Sequence, residues 1–513
     1  MMDKEMLQKI DKIFQIWIDN PGAGGQLLVT HKGKVILERC YGYANIETQT
    51  PMTQDSVFHT ASVSKQFAAM AILMLHDQGK LNVYDDVRKY IPDLINFSEP
   101  LTIKQMMNHV SGIRSHYASF QVRGRTTEDR IMQEEILRFI AKQKHLNFTP
   151  GEEFMYCNGN YVLMVTIVER LTGMTFPQFA KKYIFEPLGM QDSFFRDDPT
   201  MLIPNRVSSY HDDGYTYTNA PFNVAVYGDS SLNSTCRDLT KFIQHYQNPT
   251  LISRETMENI MFHVPEVKRG TTIYAGGVRI QDFLGYRTIH HGGVNAGFRT
   301  FGILFPDEDL IVTVFTNTYN IPIETAGRDV ARVILGLPER VSKTLDEFVT
   351  DQVDPESIPG MYYCDADGDY YKISVRDGVV YHDNTPLTHV RGNLYKQGRL
   401  NLTFAFGEDT VINENGNIRH FRKFHTQVPQ EYARACEGLY FSEEMEAFFT
   451  ILYEDGKLWI DQLRNGRSEL YWLEGDQFFY GLRKVRFHWD ADKVTGYTFS
   501  VGQIRALDFQ KIR

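Results

Sequence analysis

The last third of this 513-residue chain repeats itself: "GMYYCDADGDYYKISVRDGVVY" from Gly360 aligns without a gap on "GLYFSEEMEAFFTILYEDGKLW" from Gly438, 78 residues further on. In both copies an Asp-Gly pair, Asp377-Gly378 and Asp455-Gly456, separates a period-two aromatic stretch from a second β-rich run. Asp-Gly between alternating apolar residues is a hairpin signal, and a repeat of this length is a supersecondary unit used twice. The chain therefore ends in two related β modules, predicted as antiparallel barrel-like domains over 356–428 and 429–513; one sandwich built from two halves fits the same pattern. A 13% aromatic content supplies the Tyr and Phe that such strands pack.

The chain before the repeat is organised differently. "MMDKEMLQKIDKIFQIWIDN" predicts an amphipathic helix with Leu7, Ile10, Phe14 and Trp17 on one face. A hairpin follows, turning at "HKGK" on Gly33. "SVSKQFAAMAILMLHDQGK" has helical character with Gly79 at its C-terminal end, and helical stretches dominate from about 84 to 250. Strand patterns return at "IYAGGVRIQDF" and continue through "LIVTVFTNT", before a helical run, "IETAGRDVARVILGL". An α+β domain over 1–338 follows, helices packed on an antiparallel sheet whose strands come from both ends of the segment. The charged stretch 339–355, with prolines near both ends, predicts a linker.

Bulk properties exclude several functions. A net charge of −10 at pH 7 without a long Lys/Arg run argues against nucleic acid as a partner. Cys40, Cys157, Cys236, Cys364 and Cys436 are scattered and form no C-x-x-C pair, so neither a disulfide framework nor a zinc ribbon is indicated. Acids interrupt the first twenty residues where a signal peptide would be apolar, and no apolar span reaches membrane length. A cytoplasmic protein with no membrane partner is the expectation, and a homo-oligomer is compatible with it.

Three local patterns carry chemistry. Ser62 and Lys65, in "HTASVSKQF", stand three apart at a helix start, a spacing that brings amine and hydroxyl onto one face. S-x-x-K occurs at no other serine of the chain, yet on these residues alone Ser62 serves equally well as a helix cap and Lys65 as a solvated surface residue. Tyr156-Cys157-Asn158 is a Y-x-N ahead of a helix, where a phenol beside an ammonium can act as a base; the same string recurs at Tyr43, Tyr217 and Tyr246. His291-Gly292-Gly293 ends a strand pattern, and its glycines would admit a substrate backbone at a sheet edge, with the next N–H available to an oxyanion. The plain alternative for His290 and His291 is a pair of strand residues, one facing in and one out. A metal site would need a third ligand that the pattern does not supply.

In this order the three patterns resemble the penicillin-recognising serine hydrolases, the family of class C β-lactamases, DD-peptidases, related esterases and D-aminopeptidases. The blocks "PMTQDSVFHTASVSKQF", "LTIKQMMNHVSGI", "TPGEEFMYCNGNYVLM", "GDSSLNSTCRDLTKF" and "HHGGVNAGF" carry the resemblance over about residues 10 to 337. It implies a β-lactamase/transpeptidase-like catalytic domain with Ser62 as nucleophile and Lys65 with Tyr156 as its base. Asn158 would hold substrate and lysine, His291 would take the place of the third-motif cation, and the N–H groups of Ser62 and Val294, beside Gly293, would form the oxyanion hole. Ser64 would be a supporting residue. No metal or cofactor is implied. Histidine where many relatives carry lysine should weaken binding of penicillin-type carboxylates and resembles the esterases and D-aminopeptidases. A D-aminopeptidase of the family is likewise a catalytic domain followed by two β-barrels, the last of which sends a loop to the active site; a candidate for it here lies between Trp459 and Tyr480. The implied reaction is acyl transfer on a small-molecule or short-peptide substrate, D-aminopeptidase-like. The alternatives are a carboxylesterase or weak β-lactamase with the same residues, or a non-turnover binder of penicillins or peptidoglycan fragments.

Overall fold

The computed structural model describes residues 3–264, 272–341, 343–424, 428–481 and 483–513. The chain divides into two compact units, the first comprising 1–117, 126–211 and 218–339, the second 118–125, 212–217 and 340–513. Among the described residues no helix is long and apolar enough to cross a membrane.

In the first unit the opening helix is in two pieces, α1 (Lys4–Ile13) and α2 (Gln15–Asp19), broken at Phe14 with φ −104° and ψ 18°. The break lets Phe14 stack on both Trp17 and Tyr41, ring centroids 5.1 and 5.3 Å apart, so the predicted apolar face is kept without a continuous helix. The hairpin β1 (Gly25–His31) and β2 (Lys34–Tyr41) turns on Lys32 and Gly33, at φ 52° and 70°, the left-handed pair of a tight hairpin turn. Helices α3 (Lys65–Asp77), α4 (Asn158–Thr172) and α5 (Cys236–Gln244) precede the strands β3 (Thr272–Ala275), β4 (Val278–Phe283), β5 (Tyr286–Asn295), β6 (Phe298–Phe305) and β7 (Leu310–Thr316), and α6 (Ile323–Ile334) closes the unit.

The strands form one seven-stranded antiparallel sheet in the order β3-β4-β5-β6-β7-β1-β2. The first strands of the chain are thus zipped onto the last, Leu27 opposite Val314 and Val29 opposite Val312. Side chains alternate across the sheet. Leu27, Val29, Phe301, Ile303, Val312 and Val314 meet Ile10, Phe14, Ile323, Val330 and Ala331 of the terminal helices on one face. On the other, α5 lies so close that a Cβ at Gly302 would sit 2.4 Å from Ile243 Cδ1. His290 and His291 point to opposite faces, and because both faces are covered each is 3% exposed. His290 lies beside Phe301 and the Arg328 guanidinium of α6, and His291 against Tyr274 on the other side.

In the second unit residues 360–424 form a nine-stranded, nearly closed antiparallel barrel, and residues 438–511 a closed eight-stranded one. The repeat survives in register. The strand pairs β8 (Gly360–Tyr363) with β9 (Tyr370–Arg376), and β10 (Gly438–Ser442) with β11 (Ala447–Glu454), set Gly360 opposite Ile373 and Gly438 opposite Ile451. Their turns match too: Asp377 and Gly378 have φ 51° and 75°, Asp455 and Gly456 52° and 74°. Tyr362 and Tyr440 each donate their hydroxyl to the carbonyl four residues back, Ile358 and Cys436, at 2.6 and 2.7 Å. The stretch predicted as a linker, of which Ser342 lies outside the described residues, packs on this unit: Leu345 is buried with Leu394, Ala405 and Val411. Trp459 to Tyr480 supplies strands of the closed barrel with an exposed turn at Leu463, and Asn465 donates to the Gln121 carbonyl at 3.0 Å.

Candidate active site

Ser62 lies in a 3₁₀ turn, Ala61–Ser64, that runs directly into α3. The turn is tied down from both ends. Thr60 donates its N–H and its hydroxyl to the Leu232 carbonyl, at 2.8 and 3.0 Å. Ser64 donates its hydroxyl to the Ala61 carbonyl at 2.7 Å and accepts the Leu232 N–H at 3.1 Å. Ser64 is therefore occupied in holding the turn, whereas Ser62 is half-buried and faces Lys65. Ala61, immediately before Ser62, has φ +51°, a left-handed conformation that costs a residue with a Cβ about 1–2 kcal/mol. The bonds on either side hold it there.

Lys65 is 0% exposed, not a surface lysine. Its Nζ donates to Ser62 Oγ at 3.2 Å and to the Asp229 carbonyl at 2.8 Å, and lies 4.9 Å from the centre of the Tyr156 ring. The Tyr156 hydroxyl is buried and makes no hydrogen bond. Its ring packs on His109, centroids 4.2 Å apart, and His109 accepts the Cys157 N–H at Nδ1, 3.0 Å away. Burial, reinforced by Lys65, pushes His109 well below the usual histidine range, so it stays neutral and acts as an acceptor. Asn158 opens α4 half-buried and makes no hydrogen bond to Lys65.

His291 sits where β5 loses a neighbour. Strand β4 pairs with β5 only as far as His290, while β6 follows it to Asn295, so among the described residues no strand pairs with 291–295 on the β4 side. Gly293 lets that edge approach the serine turn: a Cβ there would lie 2.3 Å from the Thr60 carbonyl oxygen. Val294 lies on the same edge, 65% exposed. The His291 ring touches the Gly292 carbonyl through Nδ1 at 2.6 Å and the Tyr274 hydroxyl through Nε2 at 2.9 Å. This pattern assigns a neutral tautomer, with Nδ1–H donating and Nε2 accepting. Burial, then repulsion from Lys65 and Arg279, holds its pKa down to about 3. Among the described residues no group of three or more His, Cys, Asp or Glu is arranged to hold a metal ion.

Residues 13–335, most of the chain, match the Beta-lactamase family. The chain belongs to that family. Among curated relatives of this Beta-lactamase family protein, penicillin-binding protein 4* of Bacillus subtilis is 26% identical over 333 residues, 62% of this chain and 73% of its own. A D-aminopeptidase of Brucella anthropi is 24% identical over 524 residues, 96% of both chains, so its similarity extends through the barrels. Of the solved structures, the octameric penicillin-binding protein homologue from Pyrococcus abyssi superposes with TM-score 0.59 at 22% identity, over 91% of this chain and 99% of its own. The D-amino acid amidase of Ochrobactrum anthropi SV3 superposes with TM-score 0.55 at 19% identity, over 65% and 99%. They share the fold of this Beta-lactamase family chain.

The structure thus brings Ser62, Lys65, the Tyr156 ring, His291 and Gly293 to one place and leaves Asn158 apart from Lys65. Sequence reasoning missed three neighbours. His109 and Asp229 lie inside "LTIKQMMNHVSGI" and "GDSSLNSTCRDLTKF", where a charged or imidazole side chain amid residues that pack was the available signal. Tyr274 lies in a strand pattern that marks no chemistry; only the pairing of β3 with β4 and β4 with β5 carries it to His291.

Proposed function

We propose that this Beta-lactamase family protein is a serine acyl hydrolase that cleaves amide bonds of small D-amino-acid substrates through a covalent acyl-enzyme. The observation that carries the reading is the fully buried Lys65 amine 3.2 Å from Ser62 Oγ, a nucleophile and base within reach of proton transfer. In the proposed cycle the Lys65–Tyr156 pair takes the Ser62 proton as Oγ bonds to the substrate carbonyl carbon. The tetrahedral oxyanion faces the N–H groups of Ser62 and Val294. The C–N bond then breaks, the amine leaves with the proton, and water, activated by the same pair, releases the acid. Asn158 and the β5 edge at His291 and Gly293 orient the substrate.

The choice of substrate rests on His291. A neutral imidazole cannot pair with a carboxylate as a third-motif lysine would, which disfavours penicillin-like ligands. The D-aminopeptidase similar over 96% of both chains supports the same choice. Turnover of D-alanine p-nitroanilide, its L-enantiomer and p-nitrophenyl acetate tests it: the D-anilide is expected to be cleaved in preference to the L-anilide. Activity on the ester alone would make the protein a carboxylesterase, and a stable adduct without turnover would make it a penicillin or peptidoglycan-fragment binder.

A further inference from the structure

Behind Lys65 lies a buried acid for which the acyl-transfer cycle has no task. Asp229 is 0% exposed. Its position is fixed by Gly228, at φ +97°, where a Cβ would lie 2.5 Å from the Tyr161 carbonyl oxygen of α4. The main-chain carbonyl of Asp229 accepts Lys65 Nζ at 2.8 Å, so the amine is held between that oxygen and Ser62 Oγ. Its carboxyl is unevenly satisfied, its charged form helped by the Ser230 hydroxyl and by the backbone N–H groups of Asp229 and Ser230. Oδ1 accepts the Ser230 hydroxyl at 3.2 Å, while Oδ2 has no hydrogen-bond partner and stands 3.6 Å from His116 Nε2, beyond hydrogen-bond range. A carboxylate buried in this condition either finds a compensating charge or takes up a proton.

The groups around it narrow what can supply one. Lys65 faces it from α3, His116 and Tyr117 from the helix His116–Val122, and Cys157 from the segment ahead of α4. Burial and Lys65 drive His116 down to about 3, and burial drives Tyr117 up and Cys157 up to about 12, so these three stay neutral near pH 7. Burial also lifts the Asp229 carboxyl to about 7, against the opposing pull of Lys65. Of these groups, Lys65, which holds the nucleophile, is the one that favours the ionised carboxyl across space.

We propose that Asp229 is a positioning residue of the Ser62 machinery: its carbonyl aims the Lys65 amine at Ser62, and its buried carboxyl sets how readily the Lys65–Tyr156 pair gives up a proton. The proposal rests on the acyl-transfer reading. Above about pH 7, where the Asp229 carboxyl ionises, it holds the pair's proton; a neutral amide in its place releases that proton at lower pH, whichever of the two groups loses it.

The test is the rate of Ser62 acylation by p-nitrophenyl acetate from pH 5 to 9 in the wild type and Asp229→Asn, with circular dichroism as the check of folding. The acid limb of the variant is expected to move down by about one pH unit or more, a shift that loss of packing alone would not produce. A limb that stays in place overturns the proposal. Should Asp229→Asn not fold, carboxyl-¹³C aspartate NMR of the full-length wild type and Lys65→Met takes its place. One carboxyl is expected to titrate far above the ordinary range and to move higher when the lysine is removed; none titrating there, or one indifferent to Lys65, overturns the proposal. This readout needs no acylation, so it stands apart from failure of the acyl-transfer reading, which absence of a Ser62-dependent adduct in the wild type would show.

Discussion

Replacing Gly293 by alanine would put a methyl 2.3 Å from the Thr60 carbonyl oxygen and 2.4 Å from Thr300 Oγ1. Contacts below 3.0 Å are essentially never seen for a Cβ, so β5 and the serine turn must separate by about 0.7–1 Å. Thr60 cannot yield alone, because its N–H and hydroxyl are both bonded to Leu232 and its carbonyl accepts Thr300 Oγ1. A displacement near 1 Å between a nucleophile and the groups that orient its substrate costs roughly 100-fold in rate, about 2.7 kcal/mol. Overpacking costs the fold about 1–3 kcal/mol, partly offset by the stiffer unfolded chain. Gly292 is the internal control: its added Cβ would meet the tip of Glu324, a side chain half in solvent that can swing away. The burst of p-nitrophenolate from p-nitrophenyl acetate reads the acylation rate, and urea unfolding reads stability. Gly293→Ala should lose about two decades of acylation while Gly292→Ala stays within about threefold of wild type. Acylation of Gly293→Ala within threefold of wild type would refute the claim that close apposition of β5 and the serine turn positions the substrate.

Tyr156→Phe removes a buried hydroxyl that has no partner, so thermal stability should hold or rise while acylation falls about 10²–10⁴-fold; calorimetry with adduct kinetics checks both, and lower stability at unchanged rate would contradict the role assigned to it. Acid should destabilise the fold from pH 6.5 downward. His59, His116 and His291 are held at about 3 in the folded state by burial, against 6.5 unfolded, so the unfolded chain binds protons that the folded chain does not. Their stabilisation is complete above pH 6.5 and is lost as pH falls toward 3. Asp229, raised to about 7, works in the opposite sense and offsets one of the three. Each proton taken up on unfolding in excess of the folded state corresponds to about 1.4 kcal/mol per pH unit near pH 5. Urea midpoints at pH 7 and pH 5 check this, and equal midpoints would contradict it.

What was legible in the sequence was what local chemistry encodes. The Gly33 turn, the Asp-Gly turns of the two barrels and the S-x-x-K helix start depend on neighbours in the chain, and all are found in place. The fold class was legible through the period of its strands and the order of its motifs. The burial of His290 was not, because strand alternation says which residues share a face but not that α6 covers the outer one. The break at Phe14 accompanies its stacking on Tyr41 of β2, a partner distant in the chain. Asp229 reads as a polar loop residue until Gly228 presses its loop against α4 and buries it beside Lys65. These features depend on what packs over a segment, which its own pattern does not state.

The central claim is that Ser62 becomes acylated. Intact mass and peptide mapping after mixing the full-length protein with an activated ester and quenching in acid test it directly. The account predicts a single acyl adduct on Ser62, retained in Ser64→Ala and absent in Ser62→Ala. No adduct on the wild type, or one that persists in Ser62→Ala, would contradict it.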